Sequence, residues 1–176
     1  MSKASLQLWK IIAKVKTKSK GDLDLACEAF TAELKKLDDA MLLDVELAFS
    51  DAMRSANNWD VWGAIYVIHG VVSDDMFWDC RAGLVALGQK IFEAAIENPD
   101  SLASVKDIVE LTLFEGFQYV PGEIIEERDL KEKKRKGHGG KITGKKWDMK
   151  KLEAGDNTAL ERRFPRLWKR FSDENF

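Results

Sequence analysis

The sequence predicts an all-α fold, an irregular single-domain bundle of about seven helices with a basic Gly/Lys-rich loop before the last one. Three observations carry that expectation. Apolar residues recur every three or four positions through most of the 176-residue chain, which is the period of a helix face. No segment keeps the two-residue alternation of a half-buried strand. Residues that start or stop helices, among them Asp22, Asn58, Gly70 and Ser73, fall between the periodic runs.

The elements follow in order. A first helix over Ser5 to Lys16 turns Leu8, Ile12 and Val15 inward and its lysines outward. In "GDLDLACEAFTAELKKL" a stripe of Leu23, Cys27, Phe30, Leu34 and Leu37 forms behind Asp22, a good N-cap. A third helix, Ala40 to Ala56, aligns Leu42, Val45, Phe49, Ala52 and Met53. The fourth, "WDVWGAIYVIH", is apolar on nearly every side and belongs at the centre; Asn58 caps its start and Gly70 suits its left-handed end. A fifth runs from Asp74 to Glu97 with Phe77, Leu84, Leu87 and Ile91 inward, ended by Asn98 and Pro99. A sixth follows Ser101 and uses Val105, Ile108, Val109 and Leu113.

After Pro121 the periodicity weakens. Residues 131–151 read "KEKKRKGHGGKITGKKWDMKK", ten Lys and Arg against Glu132 and Asp148, a local charge of +8. Such a stretch predicts a solvated loop, with Trp147 as its docking point. Thr158 and Glu161 have capping-box spacing, so a last helix over 157–172 is expected to lay Phe164, Leu167, Trp168 and Phe171 back on a main helical core formed by 1–120. The whole, 1–176, reads as one domain.

Composition narrows the class further. With 45% apolar and 33% charged residues the chain is globular, not disordered or fibrous, and a net charge of −2 selects no partner. Cys27 and Cys80 are too few and too far apart for a disulfide framework or a metal motif. "MSKASLQLWK" lacks an apolar signal core and no apolar run is long enough for a bilayer, so the expectation is a cytoplasmic protein without membrane contact.

The block "WDVWGAIYVIHGVVSDDMFWDCRAGLVALGQKIFEAAIENPDSLA" resembles the DUF4240 family, mostly bacterial proteins with a W-D-x-W helix and an S-D-D turn. The fitting residues are Trp59, Asp60, Trp62, Tyr66, Gly70, Ser73, Asp74, Asp75, Phe77, Arg81, Leu84, Gly88, Phe92, Glu93, Pro99, Asp100 and Ser101. Trp147 and "RRFPRLWKRF", with Phe164, Pro165 and Leu167, fit as well. The chain departs from the family pattern in two places. His69, Gly70, Val71 and Val72 replace an Asn-Gly-Gly-Cys approach, and the region near Trp147 is basic where the family tends to be acidic. The resemblance implies a helical fold and carries no established activity.

Each candidate site has a structural alternative. Ser73, Asp74 and Asp75 have the right types to cap a helix and meet its dipole, terms worth roughly 0.5–2 kcal/mol for the cap and about 0.3–1 kcal/mol per carboxylate. One Asp, helped by Asp60, His69 or Arg81, would alternatively bind a ligand. The two are neighbours about 100° apart around a helix, so they form no catalytic pair by themselves. His69 suits a helix C-terminus, and without a second His or Cys at ligand spacing it makes no metal motif. Arg81, near an apolar stripe, calls for a carboxylate, Asp60 or Glu46. Trp59 and Trp62 are either core or a stacking platform.

In the basic stretch Lys133, Lys134, Arg135, Lys136, Lys141, Lys145, Lys146 and Trp147 are the contact candidates, facing an acidic protein surface or nucleic acid. Lysine outnumbers arginine there, which argues against bidentate base reading. The chain has no P-loop, G-x-G-x-x-G, H-E-x-x-H, G-x-S-x-G or paired C-x-x-C, which argues against the motif-bearing enzyme classes. The leading expectation is a non-enzymatic interaction module with a regulatory, immunity or accessory role, using no cofactor and no metal. The alternatives are a small-molecule or metal-dependent binder or enzyme centred on the S-D-D turn, and nucleic-acid binding through the basic loop.

Overall fold

The computed structural model describes residues 1–114, 116–131 and 140–176; the candidate contacts Lys133, Lys134, Arg135 and Lys136 lie outside them. Among the described residues the chain forms eleven α-helices, one 3-10 turn and no strand, apart from an isolated bridge between Asn58 and Thr143. The all-α expectation holds, with more and shorter helices than the sequence pattern suggests.

Local side-chain chemistry starts the first five helices. In α1 (Lys3–Ser19) the Ser2 hydroxyl accepts from the Ser5 N–H; α2 (Leu23–Leu34) begins at Asp22 and α3 (Asp39–Ser55) at Asp38, each carboxylate taking a first-turn N–H. α1 lies against both of the others. Their join holds a buried charge: Glu33 is 4% exposed and accepts from Lys14, Lys18 and Lys36. Those lysine hydrogen bonds hold its carboxyl at about 2, against an ordinary value of 4.5.

α4 (Trp59–His69) is the central helix. Asn58 caps it, Gly70 closes it at φ +73°, and Val61, Trp62, Ala64, Ile65, Val67 and Ile68 are buried. The single helix expected over 74–97 is two, α5 (Asp74–Ala86) and α6 (Gln89–Glu97), broken at Gly88 with φ +93°. Of the four residues expected inward, Phe77, Leu84 and Leu87 are nevertheless buried and Ile91 is partly buried, because both halves turn the same side to the core. That shared side is why the periodicity runs on across the break.

In place of a sixth helix there is a 3-10 turn, Pro99–Ser104, then a short α7 (Ile108–Thr112). Ile108 is buried, but Val109 and Leu113 are 37% and 42% exposed, since so short a helix has only one narrow inward side. Pro121 does not end order: it sits in the first turn of α8 (Val120–Glu127), where a missing N–H leaves no intrahelical bond unmade. The expected last helix is α10 (Thr158–Arg163) and α11 (Pro165–Asn175), preceded by α9 (Met149–Glu153). Pro165 forces the break, for Phe164 before it leaves helical geometry at φ −128°, ψ 60°. Thr158 is the first helical residue, not a cap; the Asp156 carboxylate accepts from its N–H instead.

α11 packs on α4 and the 3-10 turn. Its first N–H groups find their partner far away in sequence, in Asp100, 5% exposed, which accepts from Arg166 and Leu167 at 3.0 and 2.9 Å. Phe164, Leu167 and Phe171 are buried beneath it and Trp168 is half-buried, the aromatic face the sequence predicts. Among the described residues no helix is long and apolar enough to cross a membrane.

Candidate functional site

The S-D-D turn does what its residue types do at a helix start. The Ser73 hydroxyl accepts from the Met76 N–H at 3.1 Å, and Asp74 and Asp75 stand exposed in the first turn of α5. His69 is half-buried at the end of α4, its Nε2 2.9 Å from the Thr112 hydroxyl. That hydroxyl spends its one proton on the Ile108 carbonyl at 2.7 Å, so the imidazole donates through Nε2–H and ties α4 to α7. Burial pushes the His69 pKa down, which keeps the ring neutral. Arg81 lines the α3–α5–α8 cleft, whose lining includes none of His69, Ser73, Asp74, Asp75 and Asp60.

Asp60 instead pairs with Arg163 of α10 at 2.6 Å. Beside it the basic stretch returns to the core. The Thr143 N–H donates to the Asn57 carbonyl at 3.0 Å and the Trp59 N–H to the Thr143 carbonyl at 2.9 Å. The Trp147 indole N–H donates to the Trp59 carbonyl at 2.6 Å. Trp147 sits directly over Gly63: a Cβ there would lie 2.6 Å from its Nε1 and 2.9 Å from Phe164. Only glycine lets the indole approach the helix this closely. Lys141, Lys145 and Lys146 are exposed along this strip, with the Lys146 ammonium 5.5 Å from the centre of the Trp59 ring. Trp59 is half-buried and meets Trp62 edge-on.

A cleft of about 670 Å³ opens where α3, α5 and α8 meet. Its floor includes Phe49, Met53 and Ile125, all buried. Arg81, 6% exposed, lines it too; its N–H groups reach the Phe77 and Met53 carbonyls at 3.4 Å, and its guanidinium lies over the Trp78 and Phe77 rings. Burial lowers its pKa to about 10, so it stays charged at neutral pH. Glu46, one of the two carboxylates the sequence offered Arg81, lines the same cleft and accepts from the Ser50 hydroxyl at 2.8 Å.

Gln118, which also lines the cleft, donates to Asp79 at 2.6 Å, while its buried Oε1 has no hydrogen-bond partner. The Asn57 amide donates to the Gly140 carbonyl at 2.9 Å, so the lysine strip begins at the cleft's edge. Sequence reasoning missed this cleft, since α8 was not expected; its one visible signal was a charged Arg81 inside an apolar stripe.

Among the described residues no cluster of three or more His, Cys, Asp or Glu is placed to hold a metal ion. Burial raises both thiols, Cys80 to about 12, which keeps Cys80 a protonated thiol at neutral pH. No curated protein and no solved structure matches the chain. A family described as "Protein of unknown function (DUF4240)" matches residues 4–127, α1 through α8, and the chain belongs to that family.

Proposed function

We propose that this DUF4240 member is a non-enzymatic, cytoplasmic protein-interaction module with a regulatory, immunity or accessory role. It contacts an acidic protein surface through the lysine strip. One observation carries the reading: Lys141, Lys145 and Lys146 are exposed on a segment bonded to the start of the central helix through Thr143 and Trp147. Charges presented on a segment already held in place lose less conformational entropy on binding than charges on a free loop. Surface lysines of this kind speed encounter with an acidic partner and make binding salt-dependent.

The test is a titration of the wild type and the Lys141→Glu/Lys145→Glu/Lys146→Glu variant with a poly-glutamate peptide and with single-stranded oligothymidine, at low and moderate salt. The reading expects poly-glutamate binding that the variant loses with an unchanged melting midpoint. Binding of oligothymidine alone, falling steeply with salt, would transfer the strip to nucleic acid. Equal binding by the variant would remove the strip from the account.

A further inference from the structure

We propose that the α3–α5–α8 cleft is a second binding site, one that takes a cationic, partly apolar peptide segment of a partner protein. The inference rests on the cleft alone and stands or falls separately from the lysine strip.

Charge complementarity points to the sign of the occupant. Glu123, Glu126 and Asp129 line the cleft from α8 and its end, all three exposed. Among the described residues, the positive side chains lining it are Arg54 and Arg81. Arg54 is already paired with Asp51, and Arg81 is drawn down over the Trp78 and Phe77 rings with its N–H groups toward backbone carbonyls. The described residues of the mouth therefore present negative charge, while the Arg81 guanidinium faces protein.

Hydrogen bonding points the same way. Gln118 lines the cleft, and its Oε1 is a buried acceptor with no donor behind that wall. A buried acceptor left unpaired is unfavourable, and a ligand N–H relieves it once the side-chain amide turns toward the cleft. Arginine, lysine and peptide N–H groups all qualify; a carboxylate or phosphate does not. Phe49, Met53 and Ile125 add an apolar floor for an aliphatic side chain, and Tyr119, 57% exposed at the rim, offers a ring face to a cation. Peptides that use a groove combine the same two elements, apolar anchors and flanking charge.

The experiment uses a short synthetic peptide alternating arginine and leucine, and a glutamate–leucine counterpart, titrated into the full chain. Side-chain amide and indole resonances of Gln118 and Trp78 report on the site. The arginine–leucine peptide should shift both, and the glutamate–leucine peptide neither. Glu123→Lys/Glu126→Lys should weaken binding about tenfold, as two exposed charges do. Gly122→Trp is a steric second variant, because Gly122 lines the cleft with open space where its side chain would begin; it should abolish the shifts. Melting midpoints check that both variants fold. Binding that spares Gln118 and Trp78, equal binding of the glutamate–leucine peptide, or unaltered affinity in a folded Gly122→Trp variant would each overturn the proposal.

Discussion

Gly63→Ala tests how the strip is held. In a free helix alanine is favoured over glycine by about 1 kcal/mol, so propensity alone predicts a more stable protein. Here the added Cβ would lie 2.6 and 2.8 Å from two indole atoms of Trp147 and 2.9 Å from Phe164. Phe164 is fully buried and has nowhere to move, so the indole must give way. It then loses its hydrogen bond to the Trp59 carbonyl, worth about 1 kcal/mol. It also loses the packing of a half-buried aromatic, about 2 kcal/mol where a fully buried one costs roughly 3–5 kcal/mol. After the propensity gain the net loss is about 2 kcal/mol, a fall of roughly 4–8 °C in melting midpoint for a chain of this size. Thermal denaturation measures it, with the Trp147 indole resonance as local probe. A raised midpoint with that resonance unchanged would refute the close approach.

Three further outcomes follow from the same structure. Glu33 has a folded pKa below its unfolded one, so its contribution is complete above about pH 4.5 and is lost as pH falls toward 2; Glu33→Gln should flatten the stability profile in that window, and denaturant melts at stepped pH would expose a profile that stays parallel to wild type. Asp100→Ala removes the acceptor for two α11 N–H groups and should cost about 2–3 kcal/mol by urea denaturation, a loss below about 0.5 kcal/mol being incompatible with that role. Ser73→Ala should cost about 1 kcal/mol as a lost cap, while Asp75→Asn, exposed in the first turn, should cost less than about 1 kcal/mol; a destabilised Asp75→Asn with Ser73→Ala neutral would invert the assignment.

The central helix was legible because every local preference agreed: a capping Asn58, a closing Gly70 and apolar residues all round. The S-D-D turn was half legible. Its residue types suit both a cap and a ligand site, and the Ser73–Met76 bond shows that the cap forms, with both carboxylates exposed beside it. Gly88 was hidden because the inward side continues unchanged through the break. Pro121 misled because proline marks a helix start as well as a stop.

The cleft was illegible for a different reason: Met53, Arg81 and Gln118 meet only through the packing of α3, α5 and the segment entering α8. Trp147 stood out as an aromatic in a basic run, yet nothing local named Gly63 as its seat. The signal was a lone glycine inside a helix of bulky residues, and it becomes informative once the partner across the chain is known.

Poly-glutamate binding to the wild type and to Trp147→Ala tests the anchored strip most directly. The variant keeps Lys141, Lys145 and Lys146 and loses only the indole that fixes them to Trp59 and Gly63. The account predicts an intact helical core by circular dichroism and at least a severalfold weaker affinity, because the lysines must then be ordered on binding. Equal affinity in a folded Trp147→Ala protein would contradict it.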